Sequence, residues 1–277
     1  MTTAVREAFF LEGEGGGRFC VLTRPPSAPV GNLLLVPPFA EELNKSRRML
    51  ALAAQAFAER GWQVLQLDLF GCGDSAGDFG HASWAAWLED VDRAFARLTA
   101  EYAVPTTLWS LRAGCLLATD WMRLRGEALP LLAWQPVVNG KQHLQQFLRL
   151  KGVSEMLNEA DVKTTMEALR KALAEGRSVE VAGYTLSPAL VEGLEASVFS
   201  LTPNHRAPLS MLELVGQPEP ECSPGLRLLA ERLHKEGCAV EAQALQGPAF
   251  WQTQEIATCP ALIAASCHVL EGWRRAH

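Results

Sequence analysis

Short, almost unbroken apolar runs alternate along the chain with longer stretches whose apolar residues recur at helical spacing. Val5 to Leu11 and Arg18 to Thr23 read as two strands joined through Glu12-Gly13-Glu14-Gly15-Gly16-Gly17, a glycine-rich turn that suits a hairpin. No helix and no Lys-Ser/Thr pair follows those glycines, so a phosphate-binding loop is not expected there. Asn32 to Val36 is a continuous apolar run, the pattern of a parallel strand covered on both faces, and Val64 to Phe70, Thr106 to Leu111 and Leu131 to Gln135 read as further buried strands. Between them lie helical patterns over Lys45 to Arg60, closed by Gly61, and from a capping Ser83 through Trp84, Trp87, Leu88, Val91, Phe95 and Leu98. A further helix, rich in small residues, runs from the turn after Leu111 to about Arg125.

The rhythm changes at Asn139. From there to about Ala207 the chain is richer in charge and mostly helical in pattern, over Leu144 to Leu150, Asp161 to Glu175 and Pro188 to Leu194, with one weak strand at Val179 to Val181. Alternation resumes with a strand Leu209 to Val215, a helix Ser223 to Gly237, a strand Ala239 to Leu245 and a helix Pro260 to Ala276. The expectation is an α/β fold, a mainly parallel, doubly wound sheet. Residues 1–138 and 208–277 are expected to form its core, and 139–207 a helical cap insertion over the carboxyl ends of the strands.

Composition narrows the function classes. A net charge of −6 argues against a nucleic-acid footprint. Seven scattered cysteines without C-x-x-C spacing fit neither a disulfide framework nor a zinc site, and point to a reducing cytoplasm. Residues 1–7 carry no basic segment leading into an apolar run, so no secretory leader is expected. No apolar run reaches the length of a membrane span, so an integral membrane protein is not expected either. No cofactor motif emerges.

Several motifs carry a family resemblance. Asp68-Leu69-Phe70-Gly71-Cys72-Gly73-Asp74-Ser75 resembles the D-x-x-G-x-G-x-S turn of α/β-hydrolases, and the hairpin, the order of elements and the site of the insertion agree with that fold. More narrowly, four segments resemble the second kind of hydrolase-like protein associated with bacterial exosortase A systems. They are residues 37–48 (Pro37-Pro38-Phe39-Ala40-Glu41-Glu42 onward), 109–114 (Trp109-Ser110-Leu111-Arg112-Ala113-Gly114), 146–150 and 250–256. That resemblance implies the company of exopolysaccharide synthesis and envelope protein sorting, with a protein of that system as a possible partner, but no known substrate.

A nucleophile elbow requires small residues two before and two after its apex, because the tight turn brings their backbones together. Centred on Arg112, those positions are Ser110 and Gly114; centred on Ser110, they are Leu108 and Arg112, both too large. The frame therefore puts Arg112 at the apex. Gly73-Asp74-Ser75-Ala76-Gly77 matches G-x-S-x-G literally but lacks the following helix, so Ser75 reads as a loop staple. Glu219 and Glu221 follow the strand Leu209 to Val215, where a triad acid belongs. After the last strand comes Gln246-Gly247-Pro248-Ala249-Phe250-Trp251, with no histidine. His143 and His205, on or beside the insertion, are the histidines able to approach the crevice.

Two functional readings follow. In the first, serine-hydrolase chemistry is lost and the crevice binds an anionic small molecule or a partner, with Arg112, Phe39, Ala40, Glu41, Glu42 and Trp251 as ligand-binding candidates. Arg112 then either pairs with Glu41 or Glu42, faces the ligand, or does both. In the second, the chain is an active ester or acyl hydrolase using Ser110 with a non-standard base and Glu219 or Glu221 as the acid.

Overall fold

The computed structural model describes residues 4–154 and 159–276. Eight strands form one sheet: β1 (Val5–Leu11), β2 (Arg18–Arg24), β3 (Gly31–Val36), β4 (Trp62–Leu67), β5 (Thr106–Leu111), β6 (Leu131–Trp134), β9 (Leu209–Val215) and β10 (Val240–Gln246). They are ordered β1-β2-β4-β3-β5-β6-β9-β10. The pairings β1–β2 and β2–β4 are antiparallel and the remainder are parallel.

Alternate residues of each buried strand feed two different cores. Leu34 and Val36 of β3 join the layer of α2 (Trp84–Thr99), α3 (Gly114–Arg125) and α7 (Pro224–Lys235). Leu33 and Leu35 face the layer of α1 (Glu41–Ala58) and α8 (Pro260–Ala276). Both faces being covered is the reason Leu33 to Val36 of β3 reads as a continuous apolar run.

Between β6 and β9 lie α4 (Gly140–Ser154), α5 (Glu159–Ala174), a hairpin of β7 (Val179–Val181) and β8 (Tyr184–Leu186), and α6 (Pro188–Ala196). The two ends of this insertion are zipped together at its base. Asn139 and Val198 form an isolated bridge, Gly140 N–H donates to the Ser197 carbonyl, and Phe199 N–H donates to that of Val138. Its apolar residues, among them Leu144, Leu148, Leu186 and Leu190, are continuous with the core that also buries α2 and α3.

One boundary departs from expectation in a way that matters. Apolar spacing starts the first helix at Lys45, leaving Glu41 and Glu42 in a loop, yet α1 begins at Glu41. Ala40, at φ +51°, turns the chain straight into the helix, and its side chain offers no capping oxygen to announce the start. The two glutamates form the first turn, where negative charge suits the helix dipole. They are thereby held on a rigid element.

Candidate functional site

Thr106–Leu111 runs as a strand buried at every position into Arg112, whose φ of +55° places a bulky residue in the left-handed region. Gly114 then opens α3, and a Cβ there would press into the carbonyl oxygens of Val36 and Pro37. Strand, strained apex and helix follow without a gap, with Arg112 at the apex. Ala40 and Gln135 also adopt positive φ just beyond the carboxyl ends of β3 and β6, the two neighbours of β5. Strained backbone is thus gathered where the topology opens a crevice between strands.

A cleft of about 260 Å³ occupies that place, lined by Phe39, Glu41, Glu42, Lys45, Arg112, His143, Gln146, Phe147, Leu150, Trp251 and Gln252. Arg112 Nε donates to Glu42 Oε1 at 3.0 Å, and its guanidinium lies over the Trp251 indole, 5.5 Å from the ring centroid. Burial pushes the Glu42 carboxyl above the usual carboxylate range, against the pull of Arg112. Its second oxygen, Oε2, is buried without a hydrogen-bond partner among the described residues. Trp251 sits in the loop after β10, where a catalytic triad would carry its histidine. An edge-to-face ladder of Phe57, Trp109, Trp134, Phe250 and Trp251 anchors it to the core.

Other expected residues fall as follows. Glu41 accepts from the Tyr184 hydroxyl at 2.9 Å and from Asn44 at 3.1 Å, tying the β7–β8 hairpin to α1. Ala40 is buried and shapes the turn rather than lining the cleft. Ser110 is fully buried on β5, with Oγ donating to the Cys115 sulfur at 3.1 Å. Glu219 and Glu221 are exposed on the loop after β9, and neither lines the cleft. Ser75 staples its loop: Oγ donates to the Asp68 carbonyl at 2.6 Å and accepts from Phe19 N–H at 2.8 Å. His205 is buried away from the cleft, 3.4 Å from the Thr202 hydroxyl.

Two cleft residues carry more than their sequence positions suggest. Lys45, on α1, lines the cleft and has no ion-pair partner among the described residues. His143, Phe147 and Leu150 share one face of α4 at spacings of four and three. Only 6% of the His143 surface is exposed, and its ring meets Phe39 edge-to-face at 5.7 Å. Desolvation, aided by the Arg112 charge, lowers its pKa to about 3, so the imidazole is neutral at physiological pH.

The comparisons with known proteins agree with this architecture. Est1E from Butyrivibrio proteoclasticus, solved with ferulic acid bound, matches with a TM-score of 0.68 at 12% identity, over 96% of this chain and 99% of that one. A thermostable carboxyl esterase from Bacillus coagulans, solved with glycerol, gives 0.65 at 14% identity, over 99% and 100% of the two chains. XC6422 from Xanthomonas campestris, a serine hydrolase without a lid, gives 0.59 at 11%, over 97% and 94%. Likeness at such identities is likeness of fold. No curated protein matches the chain. The family model of the serine aminopeptidases S33, Hydrolase_4, matches residues 28–197, from β3 through the elbow to α6. With well over half its length matched and the sheet order in agreement, the chain belongs to that family of α/β-hydrolase-fold proteins.

Proposed function

We propose that this protein has kept the hydrolase fold, has lost serine-hydrolase chemistry, and uses the elbow cleft to bind an anionic small molecule. The observation that carries this reading is Arg112 at the elbow apex, paired with Glu42 and lying over Trp251. A guanidinium is permanently protonated and cannot attack a carbonyl, whereas its planar fork of donors suits a carboxylate or phosphate. Only Nε is engaged by Glu42, which leaves the terminal nitrogens for a guest. Lys45 adds a second cation to the lining of the same cleft. Ser110 fits an active hydrolase poorly, because its hydroxyl is buried against Cys115 and no histidine among the described residues is hydrogen-bonded to it.

Residues 139–207 act in this reading as the cap that covers the cleft, over a core of 1–138 and 208–277. The four exosortase-type motifs support a role beside exopolysaccharide synthesis in the cytoplasm, with a protein of that system as partner. Calorimetric titration with benzoate tests the binding claim. Arg112→Ala should weaken binding at least about tenfold, on the order of 1.4 kcal/mol, while the thermal unfolding transition stays cooperative. Equal affinity in the two proteins would refute it.

A further inference from the structure

Two residues that line the cleft, Glu42 and His143, each carry a buried polar atom with no hydrogen-bond partner among the described residues, Glu42 Oε2 and His143 Nε2. Buried polar groups in folded proteins are nearly always hydrogen-bonded, since leaving one unmade forfeits its hydration without replacement. Two such atoms on residues lining one cleft, one from α1 of the core and one from α4 of the insertion, therefore mark where a guest completes the structure. They differ in kind from the cations. An ionised Glu42 Oε2 only accepts, so it needs a donor and repels an anion. A neutral His143 offers either a donor or an acceptor at Nε2 and no charge. A hydroxyl both donates and accepts, and it meets either demand without adding charge.

The walls narrow the choice further. Phe39, Phe147, Trp251 and the His143 imidazole surround the space with ring edges and faces. Phe39 already makes edge-to-face contacts with Phe79, Trp87, His143 and Phe147 at centroid distances of 5.2–5.9 Å. An aromatic guest extends this network in the geometry that aromatic rings prefer.

Resting on the anion-binding reading above, we infer that the ligand is a hydroxylated aromatic carboxylate. Its carboxylate meets Arg112 and Lys45, its ring lies against Phe39 and Phe147, and its hydroxyl engages Glu42 Oε2 and His143 Nε2. His143 is then the residue that selects for the hydroxyl, and the insertion supplies specificity while the elbow supplies charge recognition.

The test titrates the whole protein with benzoate, the three hydroxybenzoate isomers and phenol. At least one isomer should bind about tenfold more tightly than benzoate, the gain expected of hydrogen bonds to charged or buried partners. Phenol should bind more weakly than that isomer. His143→Phe keeps the ring packing and should erase the preference for the hydroxyl, while His143→Gln, with a donor and an acceptor, should restore part of it. Thermal unfolding checks that both variants are folded. Equal affinities for benzoate and every isomer, with benzoate binding still dependent on Arg112, would overturn the hydroxyl inference and leave the anion site standing. Persistence of the preference in a folded His143→Phe would overturn the role of His143. Absence of binding by every carboxylate would overturn the anion reading itself.

Discussion

Arg18 and Arg112 each set Nε against a carboxylate oxygen, Asp90 at 2.6 Å and Glu42 at 3.0 Å, but they finish the arrangement in opposite ways. Around Arg18 the valences are filled. Its terminal nitrogens donate to the carbonyls of Gly16 and Glu14, Asp90 Oδ2 accepts from Phe70 N–H, and the guanidinium covers the Phe70 ring. The side chains are 3% and 1% exposed, and the network clamps the β1–β2 turn to α2 and the loop after β4. Around Arg112 the side chains are 18% and 19% exposed, the apex backbone is strained, and Glu42 Oε2 and His143 Nε2 lack partners among the described residues. A buried pair that satisfies all its groups is a structural device. A pair beside unpartnered polar atoms, at the carboxyl edge of a parallel sheet, is the arrangement that the proposed binding site calls for.

The largest effect should come from breaking the filled network. Arg18→Ala strands Asp90, whose carboxyl burial already pushes above its ordinary range despite Arg18. Chemical denaturation should show a loss of about 3–5 kcal/mol, as for other severed buried pairs. Next comes the pH dependence of the open site. The unfolded His143 imidazole takes up a proton as pH falls below 6.5, while the folded one resists until about 3. The unfolded state therefore binds more protons in that window, and stability that is full above pH 6.5 is lost as pH falls through it. Burial lowers His205 as well and adds to the slope in the same sense. Replacing His143 by Phe should remove up to one proton, at most about 1.4 kcal/mol per pH unit, from the slope between pH 6.5 and 3. An unchanged slope would mean that His143 is solvated. The smallest stability effect belongs to Arg112→Ala, the variant used for the binding test, which should cost about 1 kcal/mol or less. A loss as large as that of Arg18→Ala would dissolve the contrast and make Arg112–Glu42 a structural pair.

The elbow was legible in the sequence because its rule is steric. Small residues at Ser110 and Gly114 admit one frame, and that frame carries Arg112 to the apex. Equally legible was the place after β10 where a histidine is missing, since the order of strands defines the position. Helix α1's true start was not, because apolar spacing says nothing about a first turn made of Glu41 and Glu42, and Ala40 is not a capping residue type. Asp90 lay hidden among the apolar positions of α2. Its partner is 72 residues away, and a search for hydrophobic faces passes over a charge. His143 could be named as a candidate, but its burial and its orphaned nitrogen come from the insertion docking on Phe39, a contact between segments a hundred residues apart.

The central claim is that fold and serine chemistry have separated at the elbow, and covalent labelling tests it most directly. The purified protein is treated with a fluorophosphonate and the modified peptides are located by mass spectrometry. No serine should be labelled, since Ser110 is buried against Cys115, Ser75 is fixed between Asp68 and Phe19, and the apex carries Arg112. Stoichiometric labelling of Ser110 that Ser110→Ala abolishes would contradict the claim and restore an active hydrolase.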